Sequence, residues 1–77
     1  MKREFFGTAL CKGESIRYDL LVTSECYGIC VEYCDERVEL PGLTGDRARA
    51  EHLLRVMMRG TVTPATAWDI AEDFLRG

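Results

Sequence analysis

Long apolar runs are missing from this 77-residue sequence, and with them any stretch of the roughly 20 apolar residues that a membrane span requires. The opening residues, Met1-Lys2-Arg3-Glu4-Phe5-Phe6-Gly7, begin basic but lack the apolar core of a signal peptide and carry an acid early. The expectation is a cytoplasmic chain with no membrane partner, in a compartment where thiols stay reduced. An excess of basic residues is also missing. Ten Lys and Arg stand against thirteen Asp and Glu, a net charge of −3, which argues against direct nucleic-acid binding, since that needs cations to displace phosphate counterions. Glycine-rich phosphate loops, a serine-centred nucleophile elbow and paired carboxylates at catalytic spacing are absent. The chain therefore reads as a non-enzyme.

What is present fits one small domain, with a sheet half over residues 1–40 and a helical half over 44–76. A chain of this size buries only about 60% of its unfolded surface, and chains below about 80 residues often add a metal, disulfides or a second subunit. Self-association stays open on that ground. The charge is uneven: residues 1–43 hold five basic and eight acidic residues, whereas residues 44–77 hold five of each. The sheet half is the acidic half.

Residues 3–11 are aromatic and apolar enough for a strand, and Lys12-Gly13 offers a tight turn. From Ser15 to Glu25 the apolar Ile16, Tyr18, Leu20 and Val22 alternate with Arg17, Asp19, Thr23 and Glu25, the pattern of a half-buried antiparallel strand. Tyr27-Gly28 reads as the next turn, pairing Cys26 with Ile29, Ser24 with Val31 and Val22 with Tyr33. Asp35-Glu36 reads as a third turn, with a short fourth strand over Arg37 to Leu40 that Pro41-Gly42 ends. Thr44 reads as the N-cap of a first helix with Asp46 in its first turn. Its apolar stripe is Ala50, Leu53, Leu54 and Met57, and Gly60 closes it. Thr63-Pro64 opens a second helix, which presents Ala67, Ile70, Ala71 and Phe74 on one side and Asp69, Glu72 and Asp73 on the other. Together these predict an α+β fold: an antiparallel β-meander of three to four strands, then two α-helices packed on one face.

Tyr27-Gly28-Ile29, the run Leu43-Thr44-Gly45-Asp46-Arg47, Val62-Thr63-Pro64 and Asp69-Ile70-Ala71-Glu72-Asp73-Phe74-Leu75 resemble a domain-of-unknown-function family of small clostridial proteins. The resemblance spans about residues 16 to 76. Its motifs punctuate a fold, and it implies no activity.

The cysteines are the most informative chemical feature. Cys26, Cys30 and Cys34 recur every four residues, with Cys11 upstream and His52 on a helix. Thiolates and imidazole are zinc's preferred ligands, so Cys26, Cys30 and Cys34 are the candidate metal ligands and zinc the candidate cofactor. The spacing fits the paired zinc-knuckle pattern poorly. An unbroken strand would hold Cys26 and Cys34 about 26 Å apart, so a shared site needs a bulge near Gly28, and Cys11 belongs at the opposite end of the sheet. The competing reading is buried free thiols. His52 reads as a solvated helix histidine, and Trp68 as core or as an interface anchor. Arg47, Glu51, Arg55 and Arg59 form either a solvated stripe or a docking face. Glu25, Glu32, Asp35, Glu36 and Glu39 either imitate a phosphate backbone or blunt a sheet edge.

The exposed sheet face is expected to carry Cys30, Glu32 and Cys34, with Arg17 and Asp19 nearby, and thiols on a polar face suggest that it binds something. The leading expectation is a non-catalytic protein-binding module, in its most specific form a phage or mobile-element inhibitor of a host nucleic-acid enzyme, anti-CRISPR-like, acting by occlusion. The alternatives are a zinc-stabilised regulatory protein with cysteine ligands and a thiol-based redox sensor.

Overall fold

The computed structural model describes residues 1–76. Four strands, β1 (Lys2–Cys11), β2 (Glu14–Val22), β3 (Tyr27–Tyr33) and β4 (Glu36–Thr44), precede two helices, α1 (Arg47–Arg59) and α2 (Pro64–Arg76). The strands form one antiparallel sheet in the order β1-β2-β3-β4. Both helices lie on the same face of it, α1 mainly over β1 to β3 and α2 over β3 and β4. The shortest dimension of the molecule is 17 Å, room for a sheet and one helix layer. The expected α+β meander with two helices on one face is therefore present, in its four-stranded form.

The core lies where the apolar patterns meet. Ile16, Tyr18, Leu20, Ile29 and Val31 on the sheet face Ala50, Leu53, Leu54, Met57, Ala67 and Ala71 on the helices, all buried. The helix stripes read from the sequence are those that turn inward, except that Ile70 and Phe74 pack at the margin of the core. Trp68 lies outside it, 52% exposed. Tyr18 ties the two layers together: its hydroxyl donates to the Val62 carbonyl at 2.7 Å and lies 3.3 Å from that of Met57. A buried phenol needs such a partner, and here the partners are the backbone of the last turn of α1 and of the connection to α2.

The turns correct the sequence reading at several points. Lys12-Gly13 is the expected tight turn, with φ of 52° and 81° and Cys11 paired to Glu14 across it. Tyr27-Gly28 is not a turn. β2 ends at Val22, which pairs with Tyr27, so Leu20 faces Ile29 and Tyr18 faces Val31. The connection is Thr23 to Cys26, closed by hydrogen bonds from the Thr23 backbone N–H and hydroxyl to the Cys26 carbonyl, each 3.0 Å, and from the Cys26 N–H to the Thr23 hydroxyl at 3.2 Å. The third turn is Cys34-Asp35, with Tyr33 paired to Glu36. Nor does Pro41 end β4. Tyr27 pairs with Thr44 while Ile29 pairs with Leu40, so β4 carries two extra residues around Pro41-Gly42, an excursion that an edge strand tolerates.

That excursion explains Gly28, which lies inside β3. A Cβ there would stand 2.1 Å from the Leu40 carbonyl oxygen and 2.6 Å from the Pro41 Cα, both backbone atoms. The glycine is needed for close approach of two strands.

Helix ends are displaced by small amounts. Asp46 is the N-cap of α1, accepting from the Ala48 N–H at 3.0 Å, and Thr44 instead accepts from the Asp46 N–H at 3.1 Å. Gly60 has φ −90°; Thr61 takes the left-handed conformation at 48°, and Val62 N–H closes onto the Met57 carbonyl at 3.0 Å, the usual wide closing bond of a helix C-terminus. α2 begins at Pro64, as expected from Thr63-Pro64.

Two predictions follow from these contacts. Gly28→Ala should lower unfolding stability by at least about 2 kcal/mol in urea denaturation, because overpacking here meets backbone. Gly7→Ala, whose Cβ would meet the end of the flexible Met58 side chain, should lose less. Burial, with the charge of Cys11 adding, pushes the Tyr18 phenol up to about 12, whereas an unfolded tyrosine ionises near pH 10. Between those values the folded chain holds a proton that the unfolded chain has released. Stability should be intact below about pH 10 and fall by about 2–3 kcal/mol as pH rises toward 12. Tyr18→Phe should flatten most of that slope, leaving the part due to Tyr33, whose phenol burial also shifts upward.

Candidate functional site

The second face of the sheet carries no helix. Alternation along the strands assigns to it Arg3, Phe5, Thr8 and Leu10 of β1, Ser15, Arg17, Asp19 and Leu21 of β2, Gly28, Cys30 and Glu32 of β3, and Arg37 and Glu39 of β4. A face without a covering layer should be wet. Instead Asp19 and Cys30 are 0% exposed and Leu21 is 1% exposed. None of the three belongs to the core between sheet and helices.

Over Asp19 lies a layer of long side chains. Arg3 donates through Nε to Asp19 Oδ2 at 2.6 Å and through Nη2 to Glu32 Oε1 at 2.7 Å. Arg17 donates through Nε to Asp19 Oδ1 at 3.0 Å and Oδ2 at 3.2 Å. One carboxylate thus accepts from two guanidinium groups, arriving from β1 and from its own strand. Such charge-assisted bonds are the strong class, and a buried carboxylate needs them. The hydrogen bond to Asp19, with a second to Glu32, holds the Arg3 guanidinium more firmly protonated than usual against the opposing effect of its own partial burial. Arg17 also lies over the Phe5 ring, 5.0 Å from its centroid, a cation–π contact. Phe5 nevertheless stays 60% exposed and Leu10 71% exposed. Arg37 and Glu39, 3.8 Å from one another, lie on the same face and are both open to solvent.

The result is a flat, net-neutral surface in which exposed aromatic and aliphatic groups stand beside arginines fixed by a buried acid. The described residues enclose no pocket, so a ligand would meet this face as an open plane.

The candidate metal ligands are not gathered. Cys26 ends the β2–β3 connection, Cys30 lies within β3 and Cys34 begins the turn at its other end, so the whole seven-residue strand lies between the first and the last. Cys30 lies on the helix-free face as expected but is buried, and burial raises its thiol's pKa, with Arg3 partly offsetting the effect. That keeps it a protonated, unreactive thiol. Among the described residues no group of three or more His, Cys, Asp or Glu side chains is placed to hold a metal ion. Cys11 lies at the end of the sheet opposite Cys26, as expected, and at the same end as Cys34, with the Tyr33 hydroxyl donating to its carbonyl at 3.3 Å.

The remaining candidates have local partners. Arg47 bonds Glu51 at 3.0 Å and Glu4 of β1 at 2.6 Å, anchoring the start of α1 to the sheet. His52 stacks at the helix junction, 5.4 Å from the Phe74 ring. Arg49 donates to the Phe74 and Leu75 carbonyls at 3.4 Å, a cation at the negative end of α2. Glu32 is held by Arg3, and Glu39 approaches Arg37; of the acidic positions, Glu25, Asp35 and Glu36 remain at the strand ends.

Across residues 9–77 the chain matches the model of a family of unknown function, DUF6514. The chain belongs to that family. No curated protein and no solved structure matches it significantly. Within the DUF6514 segment lie Arg17, Asp19, Cys30 and Glu32; Arg3 and Phe5 precede it. No helix among the described residues is long and apolar enough to cross a membrane.

Sequence reasoning missed the part played by Asp19, although a signal existed. Arg17 and Asp19 are two apart on a strand and so share a face, and an acid in the middle of a central strand is unusual. Asp19→Ala should lower stability by about 2 kcal/mol in urea denaturation, because it removes the buried common acceptor of the part-buried Arg3 and the more exposed Arg17. Arg37→Ala on the same face, losing only an exposed pair, should change it by less than about 0.5 kcal/mol.

Proposed function

We propose that the chain is a non-catalytic protein-binding module whose contact surface is the helix-free face of its sheet. The observation that carries this reading is the pairing of a wholly buried Asp19 with a largely exposed Phe5, joined through Arg17. Holding an aromatic ring and two arginines in fixed positions lowers the entropy lost when a partner orders them. Aromatic and arginine side chains are also those on which interface energy concentrates. Leu10 extends the apolar area along β1.

The partner is a protein of mixed surface character, because the arginines and acids of this face balance one another. The narrower form of the proposal is an inhibitor that occludes a nucleic-acid enzyme. It draws on the acidic strand ends, Glu25, Asp35 and Glu36, since Glu32 and Glu39 already have arginine neighbours within the chain.

The test uses the reduced full-length chain as bait in a lysate of its native host, with two variants beside it. Phe5→Asp should abolish recovery of whatever protein the unaltered chain captures, and Trp68→Ala, on the helix layer, should leave recovery unchanged. Capture that survives Phe5→Asp but fails with Trp68→Ala would move the contact surface to the helices and refute the assignment.

A further inference from the structure

The outer surface of the helix layer carries charge that the chain itself leaves unpaired. Arg55 and Arg59 stand one turn apart on α1, opposite its buried stripe Ala50, Leu53, Leu54 and Met57. Asp69 and Asp73 stand one turn apart on α2, opposite the buried Ala67 and Ala71. All four are exposed, and none forms an ion pair among the described residues. Other charges of the two helices do have partners: Arg47 pairs with Glu4 and Glu51, Glu72 with Arg76, and Arg49 bonds carbonyls at the end of α2. Like charges four residues apart on a helix repel each other. Asp73 also lies in the last turn of α2, where the helix dipole disfavours an anion.

The two helices run antiparallel. His52 lies against the Phe74 ring and Arg49 bonds the Phe74 and Leu75 carbonyls, so the start of α1 sits beside the end of α2. The layer is thus a basic rod beside an acidic one, and in each rod about 6 Å of helix separates the two free charges.

We propose that this surface binds a second copy of the chain, giving a two-fold homodimer through the helix layers. An axis along the seam between the helices lays α1 of each copy over α2 of the other, running antiparallel. Arg55 then meets Asp73 of the second copy and Arg59 meets Asp69, and the symmetry makes each contact twice. Val56 shares a side of α1 with Arg49 and His52, both of which reach α2, so it lies at the seam. It is 36% exposed and supplies an apolar contact beside the axis. A partner of one charge would satisfy one helix and repel the other; a second copy satisfies both. The helix-free sheet faces then point away from each other, so the dimer stands independently of the binding role proposed for them.

The test is sedimentation equilibrium of the reduced full-length chain. It should be dimeric at low salt. Raising the ionic strength from about 0.1 M to about 1 M, which shortens the screening length from ~10 Å to ~3 Å, should weaken the dimer at least about tenfold. Arg55→Glu with Arg59→Glu, and Asp69→Arg with Asp73→Arg, should each be monomeric at the concentration where the unaltered chain is dimeric. Mixing these two double variants should restore a dimer containing one of each, which a loss of folding could not produce. Phe5→Asp, on the other face, should leave the dimer unchanged. A monomeric unaltered chain, a dimer that survives either charge reversal, a mixture that stays monomeric or a dimer lost with Phe5→Asp would overturn the assignment.

Discussion

A carboxylate with no access to water sits on the face of the sheet that no helix covers. That placement is the constraint on which the rest of the face depends. Ionised Asp19 is tolerable there only because Arg3 and Arg17 both donate to it, and Arg3 is available only because β1 lies beside β2 with Arg3 opposite Leu21. Glu32, on β3, steadies the other side of the Arg3 guanidinium. Three strands are thereby cross-linked through side chains above a sheet already joined through its backbone. Replacing such a cluster by apolar groups is often neutral for stability; what the ionic cluster adds is fixed positions for its two arginines.

Two consecutive residues of the central strand do opposite jobs. Tyr18 points into the helix side and bonds the backbone that links α1 to α2. Asp19 points the other way and organises the open face. The alternation of side chains along a strand turns one peptide unit into the junction of both layers, and a slip of β2 by one residue would exchange a phenol and a carboxylate between the apolar core and the helix-free face.

Much of this was legible in the sequence. The alternation from Ile16 to Val22, the stripe Ala50-Leu53-Leu54-Met57 and the Thr63-Pro64 boundary each follow from local physics, and each stands where the pattern put it. The β2–β3 register was not legible, for a specific reason. Pairing Val22 with Tyr33 and pairing it with Tyr27 differ by an even number of residues, so both put the apolar side chains on one face and the pattern cannot choose. The choice is made by Gly28, which must lie flat beneath Leu40 and Pro41, and by Thr23, whose hydroxyl closes the four-residue connection. Both are contacts with residues that the local pattern does not specify. The same holds for Pro41, which on an edge strand bends the chain without ending it. The thiols were hard to place for a related reason: a four-residue repeat of cysteines lies along an extended strand and does not gather, while Cys11 and Cys34, which share one end of the sheet, lie at the ends of different strands.

The central claim is that the helix-free face is held rigid by one carboxylate shared between two arginines. It is read most directly from the side-chain Nε–H resonances of Arg3 and Arg17 in solution. The account predicts two resolved signals, protected from exchange with water and shifted by hydrogen bonding to a carboxylate, that collapse together when position 19 no longer carries an acid. Arginine signals that are averaged and freely exchanging in the unaltered protein would contradict it.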